Sequence, residues 1–290
     1  MSASPPRLEP ILVADAAGVA ALAQALAGEP RIALDTESNS FHVYRERVCL
    51  LQISTRSADW VVDPLVADLR PLGPALQGVP AVVLHGADYD VRCLKREYGF
   101  ALPGLFDTMA AARRLGSPEL GLSALVKRHF GVRLSKDSQR SDWGRRPLTA
   151  EQVAYAALDT HFLLPLHDLL IGALQERDLL GQAQEEFARI AAAEPRPRVF
   201  DPEGWRNLKG ARGLDGPGKA ALRAMWIARE EQASKLDRPP FKVMPEQAMV
   251  EVARRRPGSE EEFLHVPGVT RIVLKRMGLA VLLSAVRGDG

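Results

Sequence analysis

An α/β domain followed by a smaller all-α domain is the architecture this sequence predicts. Three observations predict it: short apolar runs of strand length crowd into residues 31–87, helical spacing takes over beyond them, and a proline-rich break near residue 193 is followed by helical patterns alone. At 290 residues the chain also exceeds what one hydrophobic core usually fills, so two domains are expected.

The elements follow in order. RIALDTES (31–38), VCLLQIS (48–54) and WVVDP (60–64) are short apolar runs separated by polar, turn-like residues, and they read as three strands. AVVLHGA (81–87) is a fourth; it leads into DYDVRCLKREYG, where Val91, Leu94 and Tyr98 recur at helical spacing and Gly99 closes the helix. Further helices are expected from Asp107, Leu122 and Thr149. Asp107 and Thr149 are plausible N-caps, and Gln152 completes a capping box with Thr149. Strands first and helices after imply a mixed sheet flanked by helices.

The stretch AEPRPRVFDPEG carries three prolines, charges and little periodicity, so residues 1–192 are expected as one domain, 193–204 as a linker and 205–290 as a second domain. Leu222, Met225, Trp226 and Arg229 begin an amphipathic helix there, and three or four shorter helical patterns continue to Val286.

Composition narrows the function classes. With 46% hydrophobic and 26% charged residues the chain is globular, neither disordered nor fibrous. Cys49 and Cys93 lack any paired spacing, which argues against a disulfide framework or a structural zinc site and for buried thiols in a reducing compartment. No apolar stretch reaches the roughly 18 residues of a membrane span, and the start, MSASPPRLEP, does not resemble a signal peptide. A cytoplasmic protein is expected. The net charge of +2 does not by itself announce a nucleic-acid partner, but residues 200–290 carry 16 Lys/Arg against 12 Asp/Glu while the first 199 carry 22 against 24. Chemistry is therefore expected in the first domain and contacts in the second.

Three acidic clusters are candidates for that chemistry. Asp35 and Glu37 stand at i and i+2 of a strand, so both carboxylates face one side; two such anions repel unless a cation lies between them. In HGADYD, Asp88 or Asp90 sits where a strand hands over to a helix, a position short acids also take as N-caps. In YAALD, Tyr155 and Asp159 lie four apart and share a helix face flanked by Ala156, Ala157, Leu158, Phe162 and Leu163. A carboxylate on so apolar a helix calls for a partner, and a metal ion would serve. His85 closes a buried strand and is read as a hydrogen-bonded structural group outside the catalytic set. Arg140, Arg145 and Arg146 around Trp143 are candidates for phosphate contact and base stacking, or else form a solvated loop.

DTE, HGADYD and YAALD, in that order, resemble the three exonuclease motifs of the DEDD superfamily, and the tyrosine places the resemblance in its DEDDy branch. SDWGRRPLTAEQVAYAALDT (141–160) resembles the ribonuclease D family and related exosome-associated nucleases; together these cover about residues 8–190. The resemblance implies a ribonuclease H-like mixed sheet, with Asp35, Glu37, Asp90 and Asp159 as metal-binding carboxylates and Tyr155 as the fifth catalytic residue. Asp90 is preferred to Asp88 because the family's aspartate comes last in its motif. It also implies two divalent cations, Mg²⁺ or Mn²⁺, which suit hard oxygen ligands, and 3′→5′ removal of nucleoside 5′-monophosphates. Leu222–Pro257 with FLHVPGV (263–269) resembles an HRDC helical module. Its Arg254, Arg255, Arg256, Arg271, Lys275 and Arg276 are candidates for backbone contacts, or for a solvated basic face. The expected partner is RNA with a free 3′-hydroxyl end, met by a monomer without membrane or small-molecule cofactor, in 3′ processing of transfer RNA precursors and other structured RNAs. A DNA exonuclease and a non-catalytic RNA-binding adaptor are the alternatives.

Overall fold

The computed structural model describes residues 9–135, 138–139 and 141–288. It contains β1 (Ile11–Val13), α1 (Ala16–Leu26), β2 (Arg31–Ser38), β3 (Val48–Ser54), β4 (Asp59–Val62), α2 (Gly73–Gly78), β5 (Ala81–Leu84), α3 (Asp88–Tyr98) and β6 (Leu105–Asp107). Helices α4 (Thr108–Arg114), α5 (Leu122–Phe130), α6 (Ala150–His161), α7 (Leu163–Glu176) and α8 (Leu180–Ala191) complete the first unit.

The six strands form one mixed sheet in the order β1-β4-β3-β2-β5-β6. β2, β3 and β4 pair antiparallel, while β5 joins β2, β6 joins β5 and β1 joins β4 in parallel. The four long apolar runs are four of these strands. β1 and β6, three residues each, are too short to announce themselves by period.

β3 and β4 are buried along their whole length because both faces of the sheet are covered. Leu51, Ile53, Trp60 and Val62 pack into the larger core, and Leu50 and Val61 pack on the other face with Ala156 and Ala157 of α6. Between Glu37 and Ser38 the β2–β3 register slips: Glu37 pairs with Leu50, but Ser38 pairs with Val48. Cys49 is therefore a bulge residue, and it packs in the same cluster as its neighbour Leu50 instead of alternating with it.

The helix starts follow local chemistry. Asp107 caps α4 by accepting from Met109 and Ala110 N–H. Thr149 and Gln152 form the reciprocal capping box of α6, at 3.2 and 3.0 Å. Gly99 ends α3 at φ +70°, a left-handed cap that favours glycine.

The second unit comprises residues 197–290 together with Ser40–Glu46, an excursion between β2 and β3 that no sequence signal marks. It holds α9 (Gly216–Leu236), α10 (Pro240–Val243), α11 (Glu246–Arg255), α12 (Glu260–Leu264), α13 (Arg271–Met277) and α14 (Leu279–Arg287), and no strand among the described residues. Leu222, Met225, Met249, Phe263 and Met277 form its core, with Tyr44 packed against it. The Tyr44 hydroxyl donates to Glu230 at 2.6 Å, and the Arg198 guanidinium lies 4.2 Å from the Tyr44 ring centre. Backbone N–H of Arg45 donates to Asp237 at the end of α9. Among the described residues no helix is long and apolar enough to cross a membrane.

Candidate active site

Alternation along β2 places Asp35 and Glu37 on one side and Thr36 between them on the other. The Thr36 hydroxyl donates to Asp90 Oδ1 at 2.5 Å, tying β2 to the first turn of α3. Asp88 and Asp90 both lie in that first turn, and neither is the cap residue, which is Ala87. Their environments separate them. Asp88 is exposed and bridged to Arg92, at 2.8 Å from Nη2, whereas Asp90 is buried beneath the strand. The N-terminus of α3 is itself anchored, since Asp107 accepts from the backbone of Gly86 and Ala87 at 3.0 and 2.9 Å. That carboxylate joins α4 to the HGADYD turn, a second task its capping role does not reveal in sequence.

A cleft of about 420 Å³ opens here, lined by Asp35, Thr36, Glu37, Tyr155 and Asp159 together with His85, Met109, Leu122 and Ser123. Such a volume suits a nucleotide-sized ligand. Tyr155 and Asp159 also line an adjoining hollow of about 390 Å³ with Leu134, Ala154 and Leu158. The structure thus brings Asp35, Glu37, Tyr155 and Asp159 to one cleft, with Asp90 buried behind it. His85 also reaches the cleft wall, but its Nδ1 is 2.9 Å from the Thr108 hydroxyl, which donates to the Leu84 carbonyl.

The electrostatics of the cleft are those of acids crowded without a counter-charge. Burial pushes Asp35 well above the usual carboxylate range, and the charges of Asp90, Asp159 and Glu37 push it further. Glu37 is raised to about 9, by burial first and then by Asp159 and Asp90. Burial raises Asp159 to about 7 and Asp90 to about 6, the Thr36 hydrogen bond restraining the latter. Tyr155 is pushed above the ordinary phenol range by burial and by the same carboxylates.

Among the described residues no three such side chains are drawn together tightly enough to enclose an ion as they stand. The donor set nevertheless fits one. It is all hard carboxylate oxygen, and every member gains from a cation that would offset its neighbours' charge. Gln52, opposite Asp35 in the β2–β3 register, adds an unusual feature: it is fully buried and neither amide atom has a hydrogen-bond partner. An uncompensated buried amide costs about 1–3 kcal/mol, and a lone glutamine in an apolar strand carried no sign of it.

The basic candidates divide. Trp143, expected to stack on bases, is 1% exposed, and its ring centre lies 6.0 Å from that of Tyr155. Arg146, expected at phosphate, is bound bidentately to Asp63 at 2.5 and 2.7 Å and also donates to the carbonyls of Cys49, Trp143 and Arg145. Both expectations are corrected: burial of the Trp143 ring and the engagement of the Arg146 guanidinium with protein acceptors leave neither side chain free for a strand of nucleic acid. Arg145 is exposed, and Arg140 lies outside the described residues. In the second unit Arg254 and Arg255 pair with Glu251, and Arg256 pairs with Asp215 at 2.7 Å. Arg276 donates to the Lys242 carbonyl, while Arg271 and Lys275 stand exposed one turn apart on α13.

With this fold and these acids in view, comparison with known proteins defines the class. A family model described as 3′-5′ exonuclease matches residues 10–175, and one described as HRDC domain matches residues 218–284. The chain belongs to the 3′-5′ exonuclease family, whose enzymes of this type depend on divalent metal. Within it the likeness is to the ribonuclease D group. Ribonuclease D of Acidiphilium cryptum (strain JF-5) is 33% identical over 276 residues, which span 93% of this chain and 69% of that protein. The catalytic core of RRP6 from Trypanosoma brucei superimposes with a TM-score of 0.86 at 30% identity, covering 99% of this chain and 82% of that one. RNase D of Escherichia coli, described as an exoribonuclease involved in structured RNA processing, gives a TM-score of 0.72 at 28% identity over 97% of this chain and 76% of that one.

Proposed function

We propose that this protein is a metal-dependent 3′→5′ exoribonuclease that trims structured RNAs, transfer RNA precursors among them, to nucleoside 5′-monophosphates. The observation that carries the reading is the cleft itself: Asp35, Glu37 and Asp159 line it beside Tyr155, Asp90 stands behind, and all four carboxylates are raised by burial, with Asp35 and Glu37 raised further by the charges of Asp90 and Asp159. A binding module facing an anionic strand would gain nothing from such a cluster.

Asp35, Glu37 and Asp159 are assigned to one divalent ion, and Asp35 with Asp90 to a second. Bound Mg²⁺ or Mn²⁺ supplies the acidification of water and the neutralisation of charge that in-line phosphodiester hydrolysis requires. Tyr155 keeps its proton at neutral pH, because its surroundings raise an already weak acid. Its hydroxyl is therefore assigned to orienting the attacking water as a hydrogen-bond partner, not to abstracting a proton. Asp90, held by Thr36, keeps the first turn of α3 against β2 and so fixes the spacing of the carboxylates.

Contacts outside the cleft are assigned to Arg145, Arg271 and Lys275, which are exposed, and to Arg254, Arg255 and Arg256, whose surface ion pairs are weak enough to exchange for phosphate. Two buried cysteines that form no disulfide support a reducing, cytoplasmic setting.

The test is digestion of 3′-tailed RNA and matched single-stranded DNA by wild type and Asp90→Asn, with Mg²⁺, with Mn²⁺ and with EDTA. Stepwise, metal-dependent shortening of RNA that the substitution abolishes is the expected result. Preferential shortening of DNA would replace the substrate assignment, and binding without shortening would replace the enzyme by an adaptor.

A further inference from the structure

The turn Trp143–Arg146 is the part of the molecule whose chemistry the cleft does not absorb. It lies in the most distinctive stretch of the sequence, yet Trp143 is buried, the Arg146 guanidinium is engaged with protein acceptors, and only Arg145 is fully exposed. We infer that this turn is a positioning bracket for the active site, with Arg146 setting Glu37 and Trp143 setting Tyr155. The inference rests on the site assignment made above.

The argument starts at the bulge. Glu37 is the last residue of β2 before the β2–β3 register slips, and the slip leaves Cys49 without a partner in β2. A bulge re-aims the strand it interrupts and leaves backbone groups to be satisfied elsewhere. Arg146 Nη2 donates to the Cys49 carbonyl at 2.9 Å, so the guanidinium takes up the oxygen at the slip. Its remaining donors are fixed as well: Nε and Nη2 clamp Asp63, which is 5% exposed just beyond the end of β4, and Nη1 closes the turn on the carbonyls of Trp143 and Arg145. One planar group thus ties β3 at its bulge, the end of β4 and the turn. Lysine has neither the fork nor enough donors to repeat this.

The other end of the turn works on α6. The Trp143 ring lies 6.0 Å from the Tyr155 ring at an interplanar angle of 31°, and it packs with Ala156 and Ala157 of the same helix. Gly144 closes the bracket against β2: a Cβ there would come within 3.1 Å of Asn39 Nδ2, and the Asn39 carbonyl oxygen of the side chain accepts from Arg47 N–H across the neck of the excursion. The spacing between Glu37 and Tyr155 therefore passes through side chains that touch no substrate. Small displacements of such groups are costly, because positioning contributes a large part of catalytic power.

The experiment compares wild type, Arg146→Lys and Trp143→Phe in three readouts: kcat and KM on 3′-tailed RNA, Mn²⁺ affinity without RNA by electron paramagnetic resonance, and melting temperature. For a folded Arg146→Lys the expected result is a fall of about 10-fold or more in both kcat and Mn²⁺ affinity with KM for RNA unchanged. A rise in KM at unchanged kcat and Mn²⁺ affinity would make Arg146 a substrate contact and overturn the inference; so would no change in any of them. Should Arg146→Lys fail to fold, Trp143→Phe decides. It is expected to lower kcat at unchanged Mn²⁺ affinity, since Tyr155 is assigned no ion, and an unchanged kcat overturns the bracket. Wild type separates the two levels: if it shows no metal-dependent shortening, the site assignment itself fails, whereas an active wild type matched by both variants removes only the bracket.

Discussion

Thr36 and Asp90 are joined by a hydrogen bond of 2.5 Å, and through it the strand that carries two of the acids holds the helix that carries a third. The donor is a hydroxyl on the buried side of β2, and it adds to the backbone hydrogen bonds from Thr36 and Asp90 that compensate the burial of the carboxylate. A hydrogen bond to a charged group contributes about 1.5–3 kcal/mol.

Thr36→Val keeps the shape of the side chain and removes the donor. It is expected to lower stability at pH 8 by an amount in that range and to reduce cleavage, because Asp90 loses the bond that restrains its proton affinity. Chemical denaturation and turnover on the same preparation check this; a variant with wild-type stability and rate would show that the bond does not matter.

Asp35→Asn removes one charge from a crowded set. The metal-free variant is expected to melt at or above the wild-type temperature, since burial and three neighbouring carboxylates oppose ionisation there. Cleavage should fall by more than about 100-fold, beyond what loss of a metal's outer-shell partner causes. Near-normal cleavage would remove Asp35 from the metal-binding set.

The same electrostatics set a pH dependence. The folded carboxylates are raised, to about 6 for Asp90, 7 for Asp159 and 9 for Glu37, above the roughly 4 of unfolded acids. Their protons are held more tightly in the folded state, so this contribution to the stability of the metal-free protein is fully present below about pH 4 and is lost as pH rises from there through 6, 7 and 9. Added Mg²⁺ should oppose that loss, with its largest effect at high pH, because binding displaces those protons. Melting temperatures in EDTA and in Mg²⁺ across this range provide the check, and a flat or rising curve in EDTA would contradict it.

Gln52→Met replaces a fully buried amide, with neither atom hydrogen-bonded, by an apolar side chain of similar length. Removing that uncompensated group is expected to stabilise the fold by about 1–3 kcal/mol. If the amide serves Asp35, which it faces across the register, activity falls as stability rises. A destabilised variant would mean that the amide is satisfied in solution.

Much of this site was legible in the chain because its rules are local. An i, i+2 pair on a strand, an i, i+4 pair on a helix and a capping box depend on residues a few places apart, and Asp35 with Glu37, Tyr155 with Asp159 and Thr149 with Gln152 are placed as those rules require. Trp143 and Arg146 show the opposite case. An arginine beside an aromatic ring has the same composition whether it awaits a nucleic acid or fills a core, and only Asp63 and the Cys49 carbonyl, far away in sequence, decide which. The contacts of Asp107 with Gly86 and Ala87 and the isolation of the Gln52 amide were illegible for the same reason, being matters of tertiary structure. Strands β1 and β6 escaped notice because three residues cannot establish a period.

The excursion Ser40–Glu46 bears on how such proteins can be inherited. Linked domains are ordinarily exchangeable cassettes, cut and rejoined at the linker between them. Here seven residues encoded inside the nuclease half fold as part of the helical half, and the Tyr44 hydroxyl answers a Glu230 carboxylate that is 9% exposed. A recombination that brought in a foreign helical module after Arg196 would strand those residues and leave a buried acid with one partner fewer. The two halves are expected to have diverged together, each substitution around Tyr44 answered by one around Glu230, as a single heritable unit written in two interleaved pieces.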